Sequence, residues 1–168
     1  MSIADALLPE FDREMAVTRR VLERVPDGQF DWKPHAKSMS LGRLAEHLAE
    51  LPQWVGATVG HSELDLATAR RPEGYTSPAT REAVLAMHDR TAAEARTSLS
   101  GRTDAELLAP WTLKSGGKEV FTMPKAAVLR SFVMNHLVHH RGQMTVYLRM
   151  LDQPVPSVYG PSADEQTM

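Results

Sequence analysis

The sequence contains no cysteine among its 168 residues. This absence excludes disulfide bonds, zinc sites built from thiolates, and a thiol nucleophile supplied by the chain itself. Any thiol chemistry would therefore use the thiol of a second molecule. The absence is also compatible with a reducing compartment, and the first residues, Met1-Ser-Ile-Ala-Asp, lack the pattern of a signal peptide. We therefore expect a cytoplasmic protein.

Two further absences limit the choice of partner. No apolar run approaches the roughly 20 residues that span a bilayer, so we expect no membrane partner. The formal net charge is −2, and the 19 Lys and Arg residues are scattered, so we expect no nucleic-acid partner. Hydrophobic residues make up 42% of the chain, which at this length predicts a single domain over residues 1–168.

Apolar residues recur at spacings of three and four along two segments in the first third of the chain, which predicts two helices. The first is predicted over about residues 3–25, before a Pro26-Asp27-Gly28 turn. The second is predicted to start after Ser40, a good N-cap residue. Pro52 lies within its pattern and predicts a kink or an early end, because proline has no backbone N–H to donate.

Two further helices are predicted in the second half of the chain. The third is expected to begin at Ser77-Pro78 and to end at Ser100-Gly101. The fourth is expected to run from near Pro124 to about Leu151, where prolines follow. Before it, residues 111–121 have the pattern of a short hairpin.

The remaining segments have the composition of connections. Residues 59–76 are polar, and the tail over 157–168 is predicted as a loop whose Asp164 and Glu165 are solvated. Four helices joined by long connections in one small domain indicate an all-α fold, a four-helix bundle with a short hairpin before the last helix.

The run Asn135-His136-Leu137-Val138-His139-His140-Arg141-Gly142-Gln143 carries most of the functional information. His136 and His140 are four residues apart and so share one face of a helix. On a helical wheel with about 100° per residue, both fall in the centre of the apolar stripe, and His139 falls on its flank. His47 falls within the apolar stripe of the second helix.

Imidazoles buried among apolar side chains need partners for their nitrogens, and one divalent metal ion would satisfy all three rings. This pattern makes His47, His136 and His140 candidate metal ligands. The residues leave a second interpretation open, in which these histidines are hydrogen-bonded polar residues in the core of a structural or dimerisation bundle. The other histidines (His35, His61 and His88) show no such relation.

Residues near the histidines have further expected roles. A ligating imidazole needs its second nitrogen held, and the candidates for this are Asn135, Gln143 and Glu46. Arg141 points away from the apolar stripe on the wheel, which predicts a surface or dimer contact. We expect the three tryptophans either to line a pocket or, as is more common, to pack in the core (Trp32, Trp54 and Trp111).

Several stretches together resemble the DinB / YfiT-like family. They are Ser-Met-Ser-Leu-Gly-Arg-Leu-Ala-Glu-His-Leu-Ala ending just after His47, the run from Asn135 to Gln143, Phe-Asp-Trp-Lys-Pro-His before the second helix, and Val-Pro-Ser-Val-Tyr-Gly-Pro-Ser-Ala-Asp-Glu in the tail. The resemblance covers nearly the whole chain. It implies an antiparallel four-helix bundle of up-down-down-up type, a three-histidine divalent metal site and frequent homodimers. Carried over by position, the ligands are His47, His136 and His140.

The family includes S-transferases that use mycothiol or bacillithiol, a glutathione-dependent maleylpyruvate isomerase, and many members without a known reaction. The resemblance therefore implies a metal-dependent enzyme that activates a low-molecular-weight thiol or water for transfer to a small electrophile. The alternative is a non-catalytic metal- or ligand-binding module of a stress response. Nitrogen ligands suit several ions, of which nickel or zinc is expected.

Overall fold

The computed structural model describes residues 1–71 and 73–166, and it is mostly helical with one small sheet. The helices are α1 (Ile3–Leu22), α2 (Leu41–Glu50), α3 (Gln53–Gly60), α4 (Arg81–Leu99), α5 (Asp104–Leu108), α6 (Lys125–Val128) and α7 (His136–Met150). Residues Leu129–Asn135 form a π-helix between α6 and α7. The strands are β1 (Glu63–Asp65), β2 (Pro110–Ser115) and β3 (Lys118–Pro124). The helical class is thus confirmed, but the chain is not plainly a bundle of four helices.

The predicted break in the second helix is confirmed. Ser40 caps α2 by accepting a hydrogen bond from the Arg43 backbone N–H at 3.2 Å. The helix ends at Glu50, and α3 starts again after Pro52. Both α2 and α3 pack against α4.

The predicted start of the third helix is wrong by about one turn. The helix begins at Arg81, and its N-cap is Thr80, which accepts a hydrogen bond from the Ala83 backbone N–H. Ser77 instead donates its hydroxyl to Glu46 on α2, at 3.0 Å. Because its side chain is used in this tertiary contact, Ser77 belongs to the preceding connection. The predicted end at Ser100-Gly101 is confirmed.

The predicted hairpin is confirmed, and it is part of a sheet that the sequence pattern did not predict. Strands β2 and β3 pair antiparallel around Gly116 and Gly117, which both have left-handed φ angles (61° and 78°). Strand β1 pairs parallel with β2, and the Asp65 carboxylate accepts hydrogen bonds from the backbone N–H groups of both glycines. Three residues are too few to show a period-two pattern, which explains why β1 was missed.

The main core lies between α1, α2, α3, α4 and α7. Trp111 is fully buried in a smaller cluster with Leu113 and Val128, beneath the hairpin. Trp32 and Trp54 are partly buried and pack against the main core. Within the described residues, no helix is long and apolar enough to cross a membrane.

The π-helix changes the face that the last helix turns towards the core. The last predicted helix does extend from Lys125 to Met150, but the i→i+5 pattern of a π-helix inserts about one extra residue into the turn. Everything after it is rotated by about 100° relative to a continuous α-helix. The buried stripe of α7 therefore runs through Leu137, Arg141, Met144 and Leu148, with the buried His140 and the half-buried His136 at its margin. The wheel that centred them on the stripe assumed a constant angle per residue, and this assumption fails here.

The C-terminal tail has no regular secondary structure over residues 157–166, as predicted, but it is not simply solvated. The Asp164 carboxylate pairs with Arg149 and accepts a hydrogen bond from the Val155 backbone N–H at 2.9 Å. The Glu165 carboxylate pairs with Arg20 on α1 and accepts from the Ser157 backbone N–H. The tail is thus attached to α1 and α7. The last two residues of the predicted loop, 167 and 168, lie outside the described residues.

Candidate metal centre

The structure brings together the three histidines that the sequence singled out. His47 comes from α2, and His136 and His140 come from the first turns of α7, which packs against α2. One nitrogen of each ring lies within 4.8 Å of the corresponding nitrogens of the other two, an arrangement that could hold a metal ion. The site is therefore built where two helices meet, at the edge of the main core.

The distances between the nitrogens fit a small ion with nitrogen ligands. The Nε2 atoms of His47 and His136 are 3.4 Å apart, and those of His136 and His140 are 2.8 Å apart. Two nitrogens bound at about 2.0–2.1 Å to one tetrahedral ion lie roughly 3.3 Å from each other. These two distances are within about half an ångström of that value.

The other ring nitrogens are held by groups that set the tautomer. His47 Nδ1 lies 3.1 Å from Glu50 Oε1, and His140 Nδ1 lies 2.7 Å from Gln143 Oε1. Both oxygens only accept, so these Nδ1 atoms carry the hydrogen and the Nε2 lone pairs face the shared point. The His136 ring hydrogen-bonds to the Phe132 backbone in the π-helix. Three lone pairs that converge in this way could hold one metal ion between them.

Burial keeps two of the rings neutral. It lowers the pKa of His140 to about 4, although the hydrogen bond to Gln143 acts in the opposite direction. It also lowers the pKa of His136, and the electrostatic effect of the nearby His47 acts in the same direction. A neutral imidazole keeps the lone pair that a metal requires, so protons compete weakly for these two nitrogens at neutral pH.

Of the three residues predicted to support the ligands, the structure brings one to a histidine ring. Gln143 contacts His140 and also lies 3.2 Å from His139, an exposed residue on the flank, as predicted. Glu46 is buried and points away from the rings, towards Tyr75 and Ser77. Asn135 is exposed, and none of the hydrogen bonds described for the three rings goes to it.

Sequence reasoning missed the carboxylate that supports His47. Glu50 follows His47 by three residues, so the helical spacing that predicted the histidine pair would have found it. Burial acts to raise the pKa of Glu50, but hydrogen bonds from His47 and Arg43 outweigh it and hold the pKa below its usual range. Glu50 is therefore ionised, as a partner for an imidazole N–H should be.

The prediction for Arg141 is wrong. The side chain is 1% exposed, and its guanidinium pairs with the Glu14 carboxylate on α1 at 2.7 Å. It also donates to Thr18 Oγ1 at 3.2 Å and to the Tyr159 hydroxyl in the tail at 2.7 Å. The rotation caused by the π-helix turns this residue inwards, where α1 and the tail supply its partners.

The remaining histidines lie apart from this group. His35 and His61 are exposed in turns or at a helix end, and His35 Nδ1 accepts a hydrogen bond from the Lys37 backbone N–H. His88 is buried on α4, and burial lowers its pKa. In the described structure, His88 makes no hydrogen bond within normal limits and lies 3.7 Å from Asp89.

Comparisons with known proteins extend over nearly the whole chain. The model of the DinB family matches residues 1–167. The uncharacterized protein YrdA of Bacillus subtilis (strain 168) is 27% identical over 164 residues, which are 96% of this chain and 90% of that protein.

Two solved structures have a similar fold. The DinB-like protein YjoA from Bacillus subtilis superposes with a TM-score of 0.72 at 17% identity, over 96% of this chain and 99% of that one. A DinB-like protein from Bacillus cereus ATCC 10987 gives 0.71 at 24% identity, over 92% and 97%. At these identities the likeness concerns the fold alone.

Proposed function

Because the chain belongs to the DinB family and folds three histidines onto one point, we propose that it binds a divalent metal ion through His47, His136 and His140. The ion is nickel or zinc, which both accept imidazole nitrogen. The bound ion supports transfer of a low-molecular-weight thiol, or of water, to a small electrophile. The convergence of the three Nε2 atoms is the observation that carries the proposal.

The chemistry follows from three neutral ligands. An ion held by three imidazoles keeps an open position, where it lowers the pKa of a bound water or thiol towards neutrality. The chain's own part is to hold the rings: Glu50 orients His47, and Gln143 orients His140. The chain has no cysteine, so the thiol comes from a small cosubstrate.

A second candidate is a metal- or ligand-binding module without turnover. It is favoured by the state of Glu50, the acidic residue that contacts the ligands. Its carboxylate already accepts from His47, Arg43 and Arg71, which leaves it unsuited to act as a general base. In such a module the same three histidines bind the ion, and ion binding changes the conformation or the stability of the chain.

The proposal includes expectations about architecture and assembly. The four-helix, up-down-down-up arrangement is the part of the fold that would serve the site, with the hairpin and β1 as additions to it. We also propose a homodimer in the cytoplasm, with neither nucleic acid nor a membrane as partner. Val146 and Met150, exposed and four residues apart on α7, are a candidate contact for the dimer.

Titration calorimetry of the metal-free protein with nickel and with zinc tests the first step. We expect one ion per chain, no stoichiometric binding for His47→Ala or His136→Ala, and unchanged binding for the exposed control His61→Ala. Absence of stoichiometric binding, with thermal unfolding unaffected by either ion, would overturn the proposal.

Conjugation assays with several thiols and electrophiles test the second step on the metal-loaded protein. Turnover that is lost in His136→Ala supports the enzyme. Tight metal binding without turnover on any pair supports the non-catalytic module. Turnover that survives the substitution removes the metal from the mechanism.

A further inference from the structure

The carboxylate that supports His47 has a second set of contacts outside the site. Glu50 Oε1 lies 3.1 Å from His47 Nδ1 and accepts from Arg43 Nη2 at 2.9 Å. Glu50 Oε2 accepts from Arg71 Nη2, also at 2.9 Å. Arg71 belongs to the connection between β1 and α4, residues 66–80, far from α2 in the chain. One oxygen of Glu50 thus faces the site and the other faces this connection.

Arg71 holds a second carboxylate on α2. Its Nη1 donates to Glu46, which is 2% exposed. Glu46 Oε1 also accepts from the Tyr75 hydroxyl at 2.6 Å and from the Ser77 hydroxyl at 3.0 Å. The Arg71 guanidinium lies 4.4 Å over the Tyr75 ring. Glu46 and Glu50 flank His47, so the connection is attached to α2 on both sides of the ligand.

These contacts join the connection to α2. After the turn at residues 66–68, its described residues adopt no helix or strand. Burial of Glu46 acts to raise its pKa, but hydrogen bonds from Tyr75, Arg71 and Ser77 lower it below its usual range. The connection therefore supplies the donors that this buried carboxylate needs, and in return its own backbone is held against α2.

Arg71 also limits what Glu50 can do. The hydrogen bond from Arg71 Nη2 to Oε2 supports the carboxylate orientation in which Oε1 contacts both His47 Nδ1 and Arg43 Nη2. A planar guanidinium can bridge two carboxylates with separate N–H groups, which a lysine ammonium cannot do with the same geometry. Arg71 is thus linked to the His47 ring through the Glu50 carboxylate.

We propose that Arg71 is a positioning residue of the metal centre, and that metal binding and the order of the 66–80 connection are coupled through Glu50 and His47. The inference rests on the proposed metal binding. Coupling between two sites is reciprocal, so an ion that requires the His47 ring in this orientation stabilises the connection. A chain with the connection attached binds the ion more tightly, for the same reason.

The positioning role of Arg71 is tested by the zinc affinity of the full chain, measured by competition with a chelating dye. Loss of a residue that orients a ligand typically costs about 10–100-fold in metal affinity, and we expect about tenfold for Arg71→Ala. Arg71→Lys should recover only part of it. Arg70→Ala, at the exposed neighbouring position, is the matched control and should bind zinc like the wild type.

A double-mutant cycle identifies the route. If Arg71 acts through Glu50, Arg71→Ala should cost little more in a Glu50→Ala background, because position 50 then has no side-chain acceptor for Arg71. Two independent tenfold losses that multiply would overturn the inference. The charge-preserving Arg71→Lys provides the same comparison if Arg71→Ala does not fold.

The coupling between metal binding and the connection is tested by amide hydrogen exchange, a measurement that does not depend on activity. Zinc should slow exchange in peptides containing Tyr75 and Ser77 in the wild type, and this slowing should be lost in Arg71→Ala. Zinc binding by the wild type with no effect on these peptides would overturn this inference alone. Failure of the wild type to bind either zinc or nickel would overturn the proposed function as well.

Discussion

His140 and Arg141 are neighbours in the chain, yet they belong to two regions of α7 with opposite properties. On one side, Arg141 finds Glu14, Thr18 and Tyr159, and the charges and donors of this buried group match each other. On the other side, three imidazoles direct their Nε2 lone pairs at one another. The polar groups of the first region satisfy each other within the chain, whereas those of the second would be satisfied by a bound cation.

The difference separates two uses of buried polar groups. A buried ion pair satisfied within the chain supports the fold, and removing one partner leaves an unpaired charge. Acceptors that face each other contribute little to the fold and become favourable only when a ligand is bound. The two regions should therefore respond differently to the same kinds of change.

The largest expected effect on stability is in the ion-pair region. Arg141→Met leaves Glu14 buried without its partner, and we expect a loss of about 3–5 kcal/mol in the free energy of unfolding. The double variant Glu14→Met/Arg141→Met should recover most of it, because two apolar side chains leave no buried charge. Chemical denaturation measures both. A single variant as stable as the wild type would contradict the structural role.

The next largest effect is expected on metal affinity, and it distinguishes His140 from its neighbour Arg141. His140→Ala removes a ligand, so its zinc affinity should fall by more than the roughly 100-fold upper range for residues that only support a ligand. The metal-free variant should lose only about 1 kcal/mol of stability. Equal losses of stability for His140→Ala and Arg141→Met would remove the contrast between the two regions.

The pH dependence of the metal-free protein sharpens the same contrast. His140 has a folded pKa of about 4, below the value of about 6.5 expected when unfolded. Between these values the unfolded chain binds the proton and the folded chain does not, so stability falls as the pH is lowered. We expect His140 to account for a loss of about 1 kcal/mol between pH 7.5 and 5.5.

The control for this pH experiment is His140→Ala, which should lack that component while the other titrating groups stay the same. Denaturation curves at pH 7.5, 6.5 and 5.5 give the comparison. A variant whose stability falls with pH as steeply as the wild type would show that His140 is not the group responsible.

The smallest expected effect is at the tail. The Tyr159 hydroxyl donates to Glu14 at 2.9 Å and accepts from Arg141, but the residue is 54% exposed. Tyr159→Phe should therefore cost only about 0.5–1 kcal/mol and leave zinc affinity unchanged. Faster hydrogen exchange in the tail would accompany it. A change in zinc affinity would show that the two regions are not independent.

Local patterns predicted much of the fold. Spacings of three and four located the long helices, Pro52 located the break after α2, and paired glycines located the hairpin. These features depend on neighbouring residues, so they can be read from the chain. Strand β1 and the attachment of the tail depend on partners more than ten residues away, and nothing in their own residues indicated them.

The residues of the candidate site also differ in whether local spacing could identify them. The three histidines were identified because His136 and His140 share a face within α7, where the angle per residue is regular. The predicted surface role of Arg141 was wrong because the wheel crossed the π-helix. Gln143 and Glu50 are within one turn of their histidines and could be found by spacing. Arg71 could not, because it reaches α2 from a connection without a periodic pattern.

The sequence alone determined the chemistry that is possible here: no thiol of its own, and three imidazoles on apolar helices. The tertiary structure decided which polar side chains become hydrogen-bond or ion-pair partners. The π-helix rotates α7 so that Arg141 meets α1 and the histidines meet α2. The reason is physical, because periodicity records which residues share a face, whereas the direction of that face depends on the packing of distant elements.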